Sequence, residues 1–245
     1  MTSSLDTHPS SLNFWAVIPA AGIGKRMGSE IPKQYLELNG RAIILHTLDR
    51  LLAHPSVSGA VVALSRHDGW WEHLDTRYDK PVQRVEGGVE RCHSVLNALH
   101  ELSAYADDTD WVLVHDAARP CLTHADLDNL MSTLAQDEMG GLLAVPVRDT
   151  MKRAEPAGRV IDTVEREHLW HALTPQMFRL GQLRHALEQA LEAEQMVTDE
   201  ASAMEYVGYQ PLLVAGSASN IKITRTEDLA LAEFYLQQQE THQCV

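Results

Sequence analysis

Basic charge is what this chain has least of: 20 Lys and Arg stand against 34 Asp and Glu, a formal net charge of −14 over 245 residues. Non-specific binding of nucleic acid or of an anionic membrane surface needs a basic field. Neither is therefore an expected partner, and any anion must be caught by a local cluster of cations. Cysteine is scarce too. Cys92, Cys121 and Cys244 are odd in number and form no C-x-x-C pair, so neither a disulfide framework nor a structural zinc pattern is present. The 13 His include no H-E-x-x-H pair. No apolar run approaches the ~20 residues of a membrane helix, and residues 1–13 lack the basic and apolar regions of a signal peptide. These absences lead to the expectation of a cytoplasmic protein with a disordered tail over residues 1–13, and no internal repeat interrupts the remainder.

What is there begins with a hydrophobic fraction of 44%, enough for a sizeable core. From Phe14 onward, apolar β-like runs alternate with helical periodicity, the pattern of β-α-β winding and a largely parallel sheet. Strands are expected at Phe14–Ile18, Gly59–Ser65, Val82–Glu86, Trp111–His115, Gly141–Val147 and Pro211–Ala215. Helical spacing runs through Ile44, Leu48, Leu51 and Leu52, through Val95, Leu96, Leu99 and Leu102, through Leu127, Leu130, Met131 and Leu134, and through Leu180, Leu183, Leu187 and Leu191. Thr123-x-x-Asp126 and Thr224-x-x-Glu227 resemble capping boxes, and Thr198 is placed to cap a short helix with Asp199 and Glu200 in its first turn. Ser219–Thr224 reads as a loop and short strand, and residues 66–81 carry no readable pattern. Between residues 148 and 167 the rhythm breaks. A polar run, a Pro156/Gly158 turn and the β-branched run at 160–164 predict a projecting β-hairpin arm, which a second copy of the chain would cover.

The chemistry concentrates in the stretch from Pro19 to Gly40. A small-residue loop leaves the end of the first strand, where open α/β sheets put ligands. Gly22, Gly24 and Gly28 let backbone N–H groups approach an anion. Between Pro19 and Tyr35, Lys25, Arg26 and Lys33 face a single acid, Glu30, inside an acidic chain. The dinucleotide fingerprint fails because Met27 holds the place of its third glycine, and the P-loop fails because Lys25 is followed by Arg26. Gly87-Gly88, Asp116-Ala-Ala-Arg119 and Ser219–Lys222 fall at other strand ends of the same edge. Glycines, an isolated Asp and cations converging there suggest a nucleoside triphosphate with Mg²⁺, since hard cations take carboxylate and phosphate oxygens. Nucleotidyl transfer then needs mainly positioning and charge stabilisation.

The chain resembles the 2-C-methyl-D-erythritol 4-phosphate cytidylyltransferases. The resemblance is carried by Ile18-Pro-Ala-Ala-Gly-Ile-Gly-Lys-Arg-Met, Pro32-Lys-Gln-Tyr, Val85-Glu-Gly-Gly, Val114-His-Asp-Ala-Ala-Arg-Pro, Pro146-Val-Arg-Asp-Thr-Met-Lys, Leu173-Thr-Pro-Gln, Thr198-Asp-Glu-Ala and Asn220-Ile-Lys-Ile-Thr. The resemblance implies a single Rossmann-like nucleotidyltransferase domain over residues 14–245, an α/β fold with the arm at about 148–167 serving a homodimer. It implies transfer of CMP from CTP to methylerythritol phosphate with release of pyrophosphate. By the same resemblance, Pro19, Ala20, Ala21 and Gly22 line the base and ribose, Arg26 and Lys33 hold the phosphates, Lys25 is ancillary, and Lys222 sits near the α-phosphate. Gly88 and Ser94 read the cytosine edge, while Asp116 binds Mg²⁺ and reaches the ribose. Ala117, Arg119 and Thr198 hold the acceptor, and Thr150 and Arg166 contact it from the neighbouring subunit.

Two positions depart from the family pattern: Ser219 stands where an acid usually precedes Asn-x-Lys, and Val89 where Asp often follows the second glycine. Two other functions stay open on the sequence: a cytidylyltransferase for another polyol phosphate such as ribitol 5-phosphate, and a non-catalytic nucleotide-binding protein. Several site residues also have plainer readings. Asp116 could cap a turn, Arg119 and Lys222 could be surface ion-pair partners, and Thr198 has a sufficient job as a cap. His115 is expected to pack as a strand residue rather than act as a base.

Overall fold

The computed structural model describes residues 13–22 and 31–243. The tail before Asn13 and the loop positions Gly24, Lys25, Arg26 and Gly28 lie outside the described residues. In chain order the elements are β1 (Phe14–Pro19), β2 (Glu37–Leu38), β3 (Arg41–Ala42), α1 (Ile43–Leu52), β4 (Val57–Leu64), β5 (Val82–Glu86), α2 (Arg91–Leu102) and β6 (Trp111–Val114). Then follow α3 (His124–Leu134), β7 (Gly141–Pro146), β8 (Met151–Ala154), β9 (Val160–Val164), β10 (Trp170–Arg179), α4 (Leu180–Glu192), α5 (Glu200–Tyr206), β11 (Leu212–Ala215) and α6 (Glu227–Gln243). The six strands expected for the sheet are met to within two residues at their ends, and each of the four runs of helical spacing falls inside a helix.

A seven-stranded sheet has the order β11-β7-β10-β6-β1-β4-β5. Every neighbouring pair is parallel except those of β10, which runs antiparallel to both β6 and β7. The largely parallel sheet is thus observed, with one strand that the sequence pattern does not announce. Pro175 argues against a ladder position, and it sits where the β10 register shifts between Ala172 and Gln176.

Alternation along the strands sorts the core into two faces. Ala16 and Ile18 of β1 pack with Ile44, Leu48 and Leu51 of α1 and Leu127, Leu130 and Leu134 of α3. Val17 points the other way, with Val61, Val112 and Val114, toward Val95 and Leu99 of α2 and Leu183 and Leu187 of α4. Helices therefore cover both faces, and each fully buried Leu or Ile contributes about 1.5–3 kcal/mol. A smaller cluster of Leu38, Ile43, Ala118, Cys121 and Ile223 receives Ala232 and Leu236 of α6.

Strand order reverses between β6 and β1, because the chain winds outward through β4 and β5 and then returns to β6 on the other side of β1. Such a switch point opens a crevice beyond the carboxyl ends of the strands. The arm is a two-stranded antiparallel ladder, β8 on β9, with Met151 facing Val164. Three local expectations are corrected. Asp199, not Thr198, caps α5: its carboxylate accepts from the Ser202 N–H and Ser202 returns the bond. The start of α6 is tied by Asp228 rather than Glu227: the Asp228 carboxylate accepts from the backbone N–H and the hydroxyl of Thr224. Residues 219–224 form no strand.

Candidate active site

Four loops meet at the switch point. β1 delivers Pro19–Gly22, the segment after β5 delivers Gly88, Val89, Glu90, Arg91 and Ser94, β6 delivers Asp116–Ala118, and the segment before α6 delivers Lys222; with Lys33 and Gln34 they line one cleft. Backbone bonds fix the first two loops to the sheet: the Ala20 N–H donates to the Ala63 carbonyl at 2.8 Å and the Gly87 N–H to that of Leu64 at 2.7 Å. The loops then touch each other. A Cβ placed on Gly87 would lie 2.4 Å from the Cβ of Ala21 and 2.9 Å from Ser94 Oγ, so only glycine permits this approach.

Ser94 is buried, and its hydroxyl accepts from the Gly88 N–H at 3.1 Å while donating to the Glu90 carbonyl at 3.2 Å. It thereby fixes the Gly87-Gly88 turn and keeps one acceptor lone pair. Gln34 is buried and donates to the Ala20 carbonyl at 2.7 Å. Lys33 Nζ donates to the Ile223 carbonyl at 3.3 Å, which ties the first cationic segment to the last loop. The unpatterned residues 66–81 brace this side: Asp68 accepts the Tyr35 hydroxyl at 2.7 Å, and Trp70 stacks on the Tyr35 ring.

Asp116 is the electrostatic centre. Its Oδ1 takes Arg91 Nε at 3.1 Å, and its Oδ2 takes Lys222 Nζ at 2.9 Å and Arg119 Nε at 3.3 Å. Burial alone would raise this carboxyl, but Arg91, Lys222 and Arg119 outweigh it and hold it well below the usual carboxylate range. Arg91 in turn forks onto Glu200, with contacts of 2.5 Å and 2.9 Å. Burial works against the Arg91 charge, yet Glu200 and Asp116 hold the guanidinium more firmly protonated than usual. Three cations thus face two carboxylates, leaving an electropositive floor suited to a polyanion.

Arg119 lies beneath that floor. It is 8% exposed, and it donates from its Nη1 to the Asn220 carbonyl at 2.7 Å. Burial draws its pKa down, against the pull of Asp116. His115 is fully buried: its Nε2 bonds the Arg119 carbonyl at 3.0 Å, which makes that nitrogen the N–H donor, and its Nδ1 accepts from Thr174 Oγ1 at 2.9 Å. Thr174 accepts the Asp116 N–H at 3.2 Å, so the neutral imidazole satisfies a chain that orients Asp116. Burial lowers the His115 pKa to about 4, as suits a packing role rather than a base.

Of the residues singled out in the sequence, Pro19, Ala20, Ala21, Gly22, Lys33, Gly88, Ser94, Asp116, Ala117 and Lys222 line the cleft. Arg26 lies outside the described residues. Arg119 stands behind Asp116, while Thr150, Arg166 and Thr198 are exposed and line no part of the cleft. Arg166 bonds the Arg148 carbonyl at the base of the arm. The sequence reading gives neither Arg91 nor Glu200 a place in the site, although Glu200 stands inside the Thr198-Asp-Glu-Ala motif and Arg91 between the glycine turn and Ser94. Their pairing spans 109 positions, which no local pattern displays.

The sequence model of the 2-C-methyl-D-erythritol 4-phosphate cytidylyltransferase family matches residues 14–238. The protein of that name from Aeromonas hydrophila is 56% identical over 228 residues, 93% of this chain and 91% of its own length. That from Pseudomonas fluorescens strain SBW25 is 58% identical over 217 residues, 88% of this chain and 92% of its own. Among solved structures, a 4-diphosphocytidyl-2C-methyl-D-erythritol synthase superposes with a TM-score of 0.80 at 37% identity, covering 92% of this chain and 99% of that one. The Francisella tularensis 2-C-methyl-D-erythritol 4-phosphate cytidylyltransferase gives 0.79 at 38%, covering 91% and 99%.

Proposed function

The chain belongs to the 2-C-methyl-D-erythritol 4-phosphate cytidylyltransferase family, and from that premise we propose how its cleft transfers CMP from CTP to 2-C-methyl-D-erythritol 4-phosphate. The products are pyrophosphate and CDP-methylerythritol, a step of isoprenoid precursor synthesis by the non-mevalonate pathway. The observation that carries the assignment of roles is the convergence of the Pro19–Gly22, Gly88–Ser94, Asp116 and Lys222 loops around one electropositive cleft.

Base and ribose rest on Pro19–Gly22, and the cytosine amino group donates to the Gly88–Ser94 turn, whose acceptor is the remaining lone pair of Ser94. Arg26 and Lys33 hold the triphosphate, and Lys222 turns from Asp116 to the α-phosphate. An oxygen of the acceptor's phosphate attacks the α-phosphorus in line, forming one P–O bond as the bond to the β-phosphate's bridging oxygen breaks. Pyrophosphate leaves with that electron pair. The nucleophile needs no general base, because a phosphate monoester with a second pKa near ~6 is ionised at neutral pH. The cations offset charge that grows on the α-phosphoryl oxygens. Ala117, Arg119 and Thr198 serve the acceptor end, Arg119 by holding Asp116 and the Asn220 carbonyl in place.

For magnesium, the described residues that line the cleft include two carboxylates, Asp116 and Glu90, of which Asp116 is kept ionised by its neighbours. One carboxylate plus phosphate oxygens suits Mg²⁺. Asp116 would hold the ion, which when bound neutralises triphosphate charge. Ser219 Oγ pairs with Ser217 Oγ at 2.7 Å and is no carboxylate substitute. An unchanged magnesium requirement is expected for Ser219→Asp, and a large gain in affinity would show that a ligand is missing.

A homodimer is part of the same reading. Val160 and Ile161 on the arm are 61% and 62% exposed, an apolar pair that a second copy would cover. Thr150 and Arg166 would then reach the partner's cleft, a reading supported by their exposure and by their absence from the lining of their own. Mixing Lys33→Ala with Arg166→Ala chains should restore activity that neither variant has alone, and a monomer in sedimentation at micromolar concentration would exclude the arrangement. The unit is one nucleotidyltransferase domain over 14–245 in a cytoplasmic setting. No helix among the described residues is long and apolar enough to cross a membrane.

The deciding assay measures pyrophosphate with four nucleotides and two polyol phosphates. Release only with CTP, methylerythritol phosphate and Mg²⁺ is expected, with most of kcat lost in Lys33→Ala. Faster turnover of ribitol 5-phosphate, or CTP binding without any turnover, would refute the reading.

A further inference from the structure

At the start of α2, three side chains of different donor chemistry converge: Glu90, Cys92 and His93, whose ligand atoms all lie within 4.8 Å of one another. Cys92 Sγ is 3.7 Å from His93 Nδ1 and 3.9 Å from Glu90 Oε2. In a tetrahedral zinc site, a Zn–S bond of about 2.3 Å and Zn–N or Zn–O bonds of about 2.0–2.2 Å place such donor pairs roughly 3.6 Å apart. Those two separations therefore already approximate two edges of that tetrahedron. Glu90 is exposed and has the freedom to close the remaining distance.

The chemistry of the set is selective. One thiol, one imidazole and one carboxylate suit zinc and its neighbours rather than magnesium, which takes oxygen. Three protein ligands leave a fourth position for water. Electrostatics at a helix N-terminus oppose a cation, but a thiolate and a carboxylate supply two negative charges. The adjacent Arg91 turns its guanidinium away, onto Asp116 and Glu200. Burial pushes the Cys92 thiol up, so it is protonated when the site is empty, and binding must release that proton to solvent.

We propose that Glu90, Cys92 and His93 form a binding site for a zinc-class divalent cation on the rim of the nucleotide cleft, separate from the magnesium that accompanies the triphosphate. The set is local to three neighbouring residues and asks for no movement of the sheet. It also stands apart from the catalytic proposal, since nothing in the transfer reaction uses Cys92 or His93.

The test uses the full chain, freed of metal by chelation, and two probes, Co²⁺ alone and Zn²⁺ alone. Co²⁺ should produce a thiolate-to-cobalt charge-transfer band, and Zn²⁺ should bind one per chain in calorimetry with release of about one proton. Both signals should survive in Cys244→Ser, and the band should vanish in Cys92→Ala. Zn²⁺ affinity should fall in His93→Ala by at least the roughly 10–100-fold that loss of an outer-sphere partner costs. Glu90→Gln, at an exposed position, should weaken binding while keeping the band, which preserves the test if Cys92→Ala fails to fold. No charge-transfer band in the unmodified chain, or a band that persists in folded Cys92→Ala, overturns the proposal.

Discussion

The buried fork between Arg91 and Glu200 offers the sharpest test of how the cleft is held. Glu200 is 1% exposed and binds both terminal nitrogens of Arg91, at 2.5 Å and 2.9 Å, while the third donor of Arg91 reaches Asp116 at 3.1 Å. Glu200→Gln keeps the volume but removes the charge and turns an amide N–H₂ toward a guanidinium N–H. Breaking one partner of a buried pair costs about 3–5 kcal/mol, because the other charge is left uncompensated. For a chain of this size each kcal/mol moves Tm by ~2–4 °C, so a loss of roughly 6–20 °C is expected in thermal unfolding. Activity should fall as well. Arg91 without its clamp no longer fixes Asp116, and a misplacement of ~1 Å in a cleft can cost about 10²-fold in rate. The double variant Arg91→Met, Glu200→Met separates the two effects, since replacing both members of a buried pair by apolar residues is often neutral for stability. It should regain most of the lost Tm and stay poor in kcat/KM. A Glu200→Gln chain melting within ~2 °C of the unmodified one would refute the claim that the fork is a structural clamp. A fully active double variant would refute the claim that Arg91 prepares Asp116.

Three further outcomes follow from the same geometry. Lys222→Met, at a side chain 37% exposed, should leave Tm nearly unchanged while kcat drops by roughly 10²–10³, the cost of removing one stabilising donor; unaltered kcat in a steady-state assay would remove Lys222 from the mechanism. His115 is buried neutral with its pKa lowered from 6.5 to about 4, so the unfolded chain takes up its proton first as pH falls. Stability from this group is therefore complete above pH 6.5 and declines toward pH 4 by about 3 kcal/mol, and His115→Gln should flatten that part of the Tm against pH curve. Gly87→Ala would set a Cβ 2.4 Å from that of Ala21, and forcing the loops apart should cost about 1–3 kcal/mol and raise KM for CTP; an unchanged KM would show that the contact does not shape the cleft.

What the sequence made legible was local. The loop after β1 and Asp116 after β6 each follow a short apolar run, the glycine turn after β5 ends a short strand held by Val82 and Val85, and such endings are visible without any fold. The arm was legible for the opposite reason, as a polar and β-branched interval where a helix was due. What stayed hidden is non-local or masked by composition. β10 begins with Trp170-His-Ala and carries Pro175, so its place between β6 and β7 depends on a register shift that only the sheet reveals. Arg91 and Glu200 look like an ordinary helix start and a helix-dipole acid until packing brings them together. Residues 66–81 have no periodicity because their work is done by single contacts, Asp68 to Tyr35 and the Tyr78 hydroxyl to Asp49 at 3.0 Å. At Thr198 and Thr224 the motif was legible but its register slipped by one, to Asp199 and Asp228.

The antiparallel course of β10 has one more implication. Pro146 at the end of β7 pairs with Trp170 at the start of β10, and the Val147 N–H reaches the Leu169 carbonyl at 2.9 Å. Both feet of the arm therefore stand side by side, and everything between them is in effect an overgrown hairpin loop. Loop-closure entropy rises only slowly with length, so this module can be shortened, extended or exchanged with little strain on the sheet beneath. Variation in the length and sequence of the arm thus has a place to accumulate that leaves the seven-stranded sheet undisturbed, and a transplanted arm is the direct way to learn what it contributes.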